Sequence, residues 1–591
     1  MAVRWAPGMG CALNPRASMA ATTPRISSGV ALCRITTSTV PFSLEPLILC
    51  RDEGRVRGYA TISPSRLEGN GLRAQKEGSA SLGNQLFARK SIDKLISDSE
   101  RPEHRLKKTL GPLALTSLGV GAVIGSGIFT VVGTAIAGQK FELSSVLHAP
   151  LLEYLIYQSP TFGRPGAGPA IALSFVLVGV VCAFAALCYA ELASMIPIAG
   201  SAYTYTYATM GELVAWIIGW DLILEYAVSN MAVGVGFSEH LVNLLDFFGL
   251  ALPPQWMFPA YLPSSASGFP AGWHFGFNLP AFLVVMVLTV ILVRGIRESA
   301  QTNNVMVILK IMAILTFVVA GVSFIDSGNY RPFAPNGWPG VLTGGAIIFF
   351  TYIGFDSVST AAEEARNPRR DLPIGIIATL LICTLLYIAV VVVLTGIARW
   401  DTLDNAAPVV NELRRLNLPW VRFAVLFGAM MGMISSLLVF QLGQARVWFA
   451  MSRDGLLPKA FSRVHPRFRT PDVATWVAGF VVGIPAGLLD IGTLADLSNI
   501  GTLFAFSLVA AGVLVLRYRE PERPRGFRSP GGPLAPLLTI AFCVLLMAGL
   551  PIMNWIRFFV WLAIGLVIYL LYSRRHSEFA PRKLAGLGER A

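Results

Sequence analysis

Twelve predominantly apolar stretches follow one another along this chain, each near the length that crosses a lipid bilayer. They fall at about 112–137, 169–193, 212–246, 278–296, 303–325, 341–363, 374–398, 420–446, 473–491, 497–517, 534–551 and 554–573. A bilayer core is about 30 Å thick, and a helix needs about 20 apolar residues to span it. Composition agrees: 54% of the 591 residues are hydrophobic and only 14% are charged, against about 25% charged in soluble domains. The chain is too apolar for a soluble enzyme or a disordered protein. It predicts an all-α integral membrane protein with twelve transmembrane helices.

Charge orients the spans. With the N-terminus inside, the inner loops hold Arg294 and Arg297, then Arg366, Arg369 and Arg370. They also hold the cluster from Arg446 to Arg469 and the cluster from Arg517 to Arg528. The outer loops hold only Lys140, Arg164, Arg331, Arg399, Arg414 and Arg415. The positive-inside rule therefore places both termini in the cytoplasm. It also accounts for most of the net charge of +13 without nucleic acid as a partner. The seven cysteines include no CxxC, so neither a zinc site nor a disulfide framework is indicated.

Residues 1–95 read as a separate tail, 96–573 as the membrane domain, and 574–591 as a basic cytoplasmic tail. The first 44 residues carry arginines and no acid, which is transit-peptide composition, and Arg57-Gly58-Tyr59-Ala60 resembles a mitochondrial processing site. The same composition fits a disordered tail or a start codon placed too far upstream.

Two spans are interrupted. The first reads Gly119-Val-Gly-Ala-Val-Ile124-Gly125-Ser126-Gly127, and its glycines each weaken a helix by about 1 kcal/mol relative to Ala. The sixth reads Phe349-Phe350-Thr351-Tyr352-Ile353-Gly354-Phe355-Asp356. Each is the first of five spans, and five is odd, so the two quintets lie upside down to one another. Paired breaks in two inverted halves point to a transporter binding site. Non-helical backbone is tolerated at that depth only where it lines a cavity or is buried in protein. The half-helix start after a break suits a carboxylate, and the carbonyls before it suit an ammonium. A zwitterionic amino acid supplies both. The alternative is close helix packing, since Gly121 and Gly125 have the GxxxG spacing.

Ionisable residues inside the spans narrow the chemistry. Lys310 lies near the middle of the fifth span, about 12 Å from the inner end at 1.5 Å per residue. Such residues usually face the bundle interior and mark ion or proton paths. Burial disfavours a charged ammonium, so a buried lysine can carry an exchangeable proton. Glu225 and Asp221 lie four apart on one face of the third span, and Asp356 sits at the second break. These acids can receive a cationic side chain or pair with Lys310. Ser435 and Ser436 lie in the eighth span, where hydroxyls commonly bond the backbone.

Several motifs together resemble the amino acid–polyamine–organocation permeases, in their bacterial cationic amino acid transporter branch. They are GVGAVIGSGIFTVVG at 119–133, CYAELASMIPIAGSAYTY from Cys188, GWDLILEY at 219–226, FTYIGFD at 350–356 and MSRDGLLP at 451–458. The resemblance covers about 100–573; residues 139–167 look like an external insertion. It implies a LeuT-like fold of five plus five inverted helices with two further C-terminal helices. It implies substrate carboxylate on amides around Gly125, Ser126 and Gly127, and ammonium on carbonyls around Ile124, Phe350 and Ile353. Lys310 would stand where sodium-coupled relatives hold sodium, beside Ser435 and Ser436. Glu225 and Asp356 would face the side-chain pocket, and Phe350 or Phe355 would gate it.

The expectation is a secondary active amino acid importer, proton-coupled, with a possible preference for cationic substrates and the plasma membrane as its place. The proton is the coupling ion and no cofactor is expected. Rivals are an exchanger without net proton flux and an amino acid sensor. No HExxH motif or Ser-His pair within a span supports an enzyme. Oligomeric state is open, and an organelle membrane stays open if the tail is a targeting peptide.

Overall fold

The computed structural model describes residues 47–52, 55–61, 85–99, 108–140, 151, 163–198, 200–257, 276–294, 299–405, 407–468, 470–489 and 491–580. The chain forms two units, 1–85 with 578–591, and 86–577. In the first, β1 (Leu47–Asp52) and β2 (Arg55–Thr61) pair antiparallel, with a register shift between Cys50 and Arg51. The sequence reading assigned no strand here. Ile48, Val56, Tyr59 and Thr61 favour one, but the run is too short to stand out among its Arg and Ser neighbours. The acid-free first 44 residues and the end of the C-terminal tail lie outside the described residues.

The second unit is helical. A short α1 (Ile92–Ser99) precedes the first apolar stretch, which is split into α2 (Pro112–Val123), α3 (Ser126–Phe129) and α4 (Val131–Ala137). Next come α5 (Ile171–Met195), α6 (Ser201–Thr209), α7 (Glu212–Phe247), α8 (Leu279–Arg294) and α9 (Ser299–Val322). The sixth stretch is α10 (Gly337–Ile348) followed by two 3-10 segments, Phe349–Tyr352 and Phe355–Glu364. Then follow α11 (Pro368–Ile397), α12 (Pro408–Arg415), α13 (Pro419–Arg453), α14 (Asp472–Ala486), α15 (Ile491–Arg519), α16 (Leu534–Ala548) and α17 (Ile552–Ile568). Pro at the first turn of α2, α11, α12 and α13 suits positions whose N–H has no intrahelical partner.

Seven described helical stretches are long and apolar enough to cross a membrane, and four more apolar helices are shorter. The most apolar window of Gly337–Glu364 is 94% buried inside the protein, whereas that of Ile552–His576 is 22% buried. The broken sixth stretch is thus the core, and the last helix is peripheral. Val180, Ile308, Val319, Leu385 and Phe559 are exposed, as lipid-facing residues are. The most extensive helix pairings are α7 with α13 and α15, α5 with α11, α9 with α13, α2 with α11, α15 with α16, and α8 with α14.

One short β-ribbon accompanies the helices. The ends of the 139–167 insertion pair as β3 (Gly138–Lys140) and β4 (Gly163–Pro165), which satisfies backbone groups where the chain leaves its helix. Arg164 on β4 is buried and pairs with Asp496 of α15 at 2.6 Å. The remainder of that insertion lies mostly outside the described residues.

Glu191 is fully buried at the end of α5. Arg517 of α15 donates to both of its oxygens, at 2.9 and 2.5 Å. The Ser529 amide and hydroxyl each donate to it at 2.9 Å, and Arg525 lies at 3.3 Å. Removing one member of such a network strands the other charges. Glu191→Ala should therefore cost roughly 3–5 kcal/mol, measured as a lower thermal-unfolding midpoint in detergent.

Candidate functional site

The first break opens at Ile124 and Gly125, whose backbone leaves helical geometry between α2 and α3. A helix end leaves its last carbonyls without intrahelical partners. Here side chains from three other helices meet them. Lys310 Nζ of α9 donates to Gly121 O at 2.7 Å and Ile124 O at 2.9 Å. Ser436 Oγ of α13 stands 3.0 Å from both Gly121 O and Ala122 O. The Tyr387 hydroxyl of α11 stands 3.0 Å from Val123 O. Lys310 is fully buried, and no carboxylate among the described residues lies within ion-pair distance of it. Its charge is met by carbonyl dipoles at the negative end of a helix.

Ser435 Oγ donates to Asn303 Oδ1 at 2.8 Å and stands 3.4 Å from Gly121 O. Asn303 also donates to Ser117 O at 3.3 Å. The hydroxyl pair of the eighth span thus sits at the first break, next to Lys310.

The second break lies between Ile353 and Phe355. Gly354 has φ +115°, a conformation that side-chain-bearing residues rarely adopt. Beyond it the chain runs as a ten-residue 3-10 helix, Phe355–Glu364. Such runs seldom exceed three or four residues and mark hinges or strain. Its polar groups are largely met locally. Thr351 Oγ1 donates to Ile348 O at 2.7 Å, and Ser357 N and Oγ donate to Gly354 O at 3.0 and 2.5 Å.

The two breaks touch. A Cβ added to Gly127 would lie 2.9 Å from Thr351 Cα, and one on Gly354 would lie 3.0 Å from Ala122 Cβ. Tyr387 bridges them, since its hydroxyl also stands 3.0 Å from Thr351 O. Ser126, Gly127, Phe350 and Ile353 are all buried here, and the Ser126 hydroxyl has no partner.

The acids lie elsewhere on the same core. Glu225, Asp221 and Asp356 are buried, and no hydrogen bond of ordinary geometry reaches their carboxylate oxygens. Tyr226 lies close to Asp356, Thr502 to Glu225, and the two carboxylates are near enough to interact. Asp221 faces the backbone of Gly501 on α15, where an added Cβ would sit 2.8 Å from its Oδ1.

Three placements bear on the expected roles. None of the acids pairs with Lys310. Ile124 O, expected to take a substrate ammonium, is held by Lys310, and Phe350 O accepts from Ile353 N at 3.3 Å. Phe355 is fully buried in an aromatic cluster with Phe506 at 5.0 Å and Tyr189 at 6.1 Å. Sequence reading missed Tyr387 and Asn303. Neither stood out: Asn303 lies beside Asn304 at the polar start of α9, and Tyr387 shares α11 with Thr379, Thr384 and Thr395.

These are the features of a helical membrane protein whose two broken stretches meet in its core. The family model described as amino acid permease matches residues 110–571. A branched-chain amino acid permease of Bacillus subtilis (strain 168) is 45% identical over 496 residues, covering 83% of this chain and 98% of that protein. The methylthioribose transporter of the same organism is 41% identical over 495 residues, covering 84% and 99%. Cationic amino acid transporter 4, vacuolar, of Arabidopsis thaliana is 35% identical over 449 residues, covering 74% and 68%.

The chain therefore belongs to the amino acid permease family of the amino acid–polyamine–organocation superfamily. It is an all-α, multi-pass membrane transporter of amino acids and not an enzyme.

The contact between the breaks yields a prediction. Gly127→Ala forces backbone apart at Thr351 and should lower amino acid uptake at least about tenfold, because a misplacement near 1 Å is costly at a site. Gly111→Ala, where an added Cβ meets nothing within 4 Å, should leave uptake unchanged. Initial uptake rates in proteoliposomes check both.

Proposed function

We propose that this permease imports amino acids by proton symport, with Lys310 as the residue that carries the coupled proton. The observation that carries this reading is the Lys310 ammonium on Gly121 O and Ile124 O. Protonated, Lys310 ties α9 to the end of α2 and holds the first break in one shape. A neutral amine keeps fewer donors and no charge, so that hold weakens and the half-helices can part. Ser435 and Ser436 keep the remaining carbonyls satisfied as Lys310 changes state.

Substrate carboxylate would sit against the amides that open α3, at Ser126 and Gly127, which have no intrahelical acceptor. Its ammonium would meet carbonyls of the second break near Ile353. The side chain would extend toward Phe350, Asp356 and Glu225, with Phe355 moving as a gate. An aliphatic side chain is the first substrate reading, supported by the branched-chain relative that the chain covers almost end to end. In that case the acids are protonated or serve coupling. A cationic side chain is the second reading, favoured by two interacting buried carboxylates without a basic partner.

The topology proposed is twelve spans in two inverted quintets plus two C-terminal helices. The pairings support it. Exchanging each span with its counterpart five later maps α7–α15 onto α13–α9, and α2–α11 onto α10–α5, and all four are close contacts. Loop charge supports cytoplasmic termini, and membership of the permease family supports a plasma-membrane setting. Residues 96–573 are proposed as the transport domain, with 1–95 and 574–591 flanking it.

The test is uptake of labelled leucine and arginine into proteoliposomes, with and without an inward proton gradient. Gradient-stimulated uptake is expected, and Lys310→Ala should abolish the stimulation. Unchanged stimulation in that variant would refute the role of Lys310. Counterflow without any gradient response would identify an exchanger.

A further inference from the structure

Residues 86–99 lie upstream of the stretch matched by the family model, yet they pack into the helical unit. Backbone, apolar and ionic contacts hold them. Ala88 O accepts the backbone N–H of Glu212 at 3.0 Å, at the first turn of α7, where such donors lack helical partners. Ile92 is 3% exposed. Lys90 Nζ pairs with Asp454 Oδ1 at 2.7 Å, and both side chains are about nine-tenths buried, at 12% and 10% exposure. Tyr203 of α6 donates to the other Asp454 oxygen at 2.6 Å, and Lys90 lies over the Tyr207 ring at 5.2 Å. Asp93 and Arg523 also pair at 2.7 Å, but Asp93 is exposed, so that pair is worth little.

The anchors of this segment are not passive surface. Asp454 caps the C-terminal end of α13, the helix that carries Ser435 and Ser436. Tyr203 and Tyr207 lie on α6, whose Ser201 hydroxyl accepts from Ser359 at 3.1 Å, both fully buried. Ser359 belongs to the 3-10 half of the sixth stretch, three residues beyond Asp356. The same half is stitched at its end to the start of the first span. Thr109 N and Leu110 N both donate to Glu364 O, and Arg366 N donates to Leu110 O at 2.8 Å. The 3-10 half thus rests on α6 through Ser359.

We propose that residues 86–99 are an inner clasp of the transport cycle, with Lys90 and Asp454 as positioning residues that hold α6 and α13 against the inner half of the sixth span. The clasp rests on the transport reading and on the cytoplasmic placement of this face. Closed, it favours the state in which the site is shut toward the cytoplasm. Released, it frees α6 and lets the 3-10 half swing away. Loss of either charge breaks this largely buried pair, which shifts the population toward the open state.

The experiment uses the full chain in proteoliposomes with Ser359→Cys as reporter, and the chain without the reporter as blank. Maleimide is applied from the cytoplasmic face. This readout needs no substrate, so its failure is separable from failure of the transport assay. Lys90→Met and Asp454→Asn should each speed alkylation at least about fivefold. Tyr203→Phe, which removes one hydroxyl only, should give a smaller increase. The double exchange Lys90→Asp with Asp454→Lys should return the rate toward that of the parent. Should a charge variant fail to give monodisperse protein, Tyr203→Phe and the double exchange carry the test. Alkylation unchanged in every folded variant would overturn the clasp. A double exchange as fast as the single variants would overturn the ion pair as its basis.

Discussion

The structure turns on a helix that stops inside the buried core of the protein. When α2 ends at Val123, four carbonyls from Gly121 to Ile124 lose the partners that a continuous helix would supply, in surroundings where water cannot replace them. Leaving them bare would cost several kcal/mol each. The chain meets that demand with Lys310, Ser436 and Tyr387, drawn from α9, α13 and α11. The break is therefore not a local defect. It fixes the mutual placement of four helices, and any change at one of those side chains is felt at the end of α2.

The same logic explains where charge sits. A lysine in an apolar interior normally demands a counter-ion, yet Lys310 has helix-end dipoles instead. The buried acids are kept apart from it, grouped around α7, α15 and the second break. Positive and negative groups are thus held near the two breaks without cancelling each other. That separation leaves Lys310 and the acids each without a fixed counter-charge among the described residues. A direct Lys–carboxylate pair would satisfy both and leave neither free to change state.

Away from the site, the ion pairs that are tightly buried lie at the ends of the bundle. Glu191 with Arg517 joins α5 to α15, Lys90 with Asp454 joins the upstream segment to α13, and Arg164 with Asp496 joins the outer ribbon to α15. Each links segments far apart in sequence. Apolar packing in lipid offers little preference for one helix partner over another, so such polar links select specific neighbours.

Much of this was legible in sequence. The apolar runs gave the helices, because the bilayer demands a minimum length. The glycines at 119–127 and Gly354 marked the breaks, because a helix tolerates neither their flexibility nor a positive φ. Lys310, Ser435 and Ser436 stood out as polar residues in apolar surroundings, and the motifs around them placed the chain in its family. What the sequence could not decide was partnership. That Ile124 O goes to Lys310, that Tyr387 spans both breaks, that Glu191 and Arg164 are buried, and that Lys90 reaches Asp454 are all contacts between residues dozens to hundreds of positions apart. Periodicity and local propensity describe one segment at a time, while the choice among distant polar partners is made only when the helices close around a shared, water-free core.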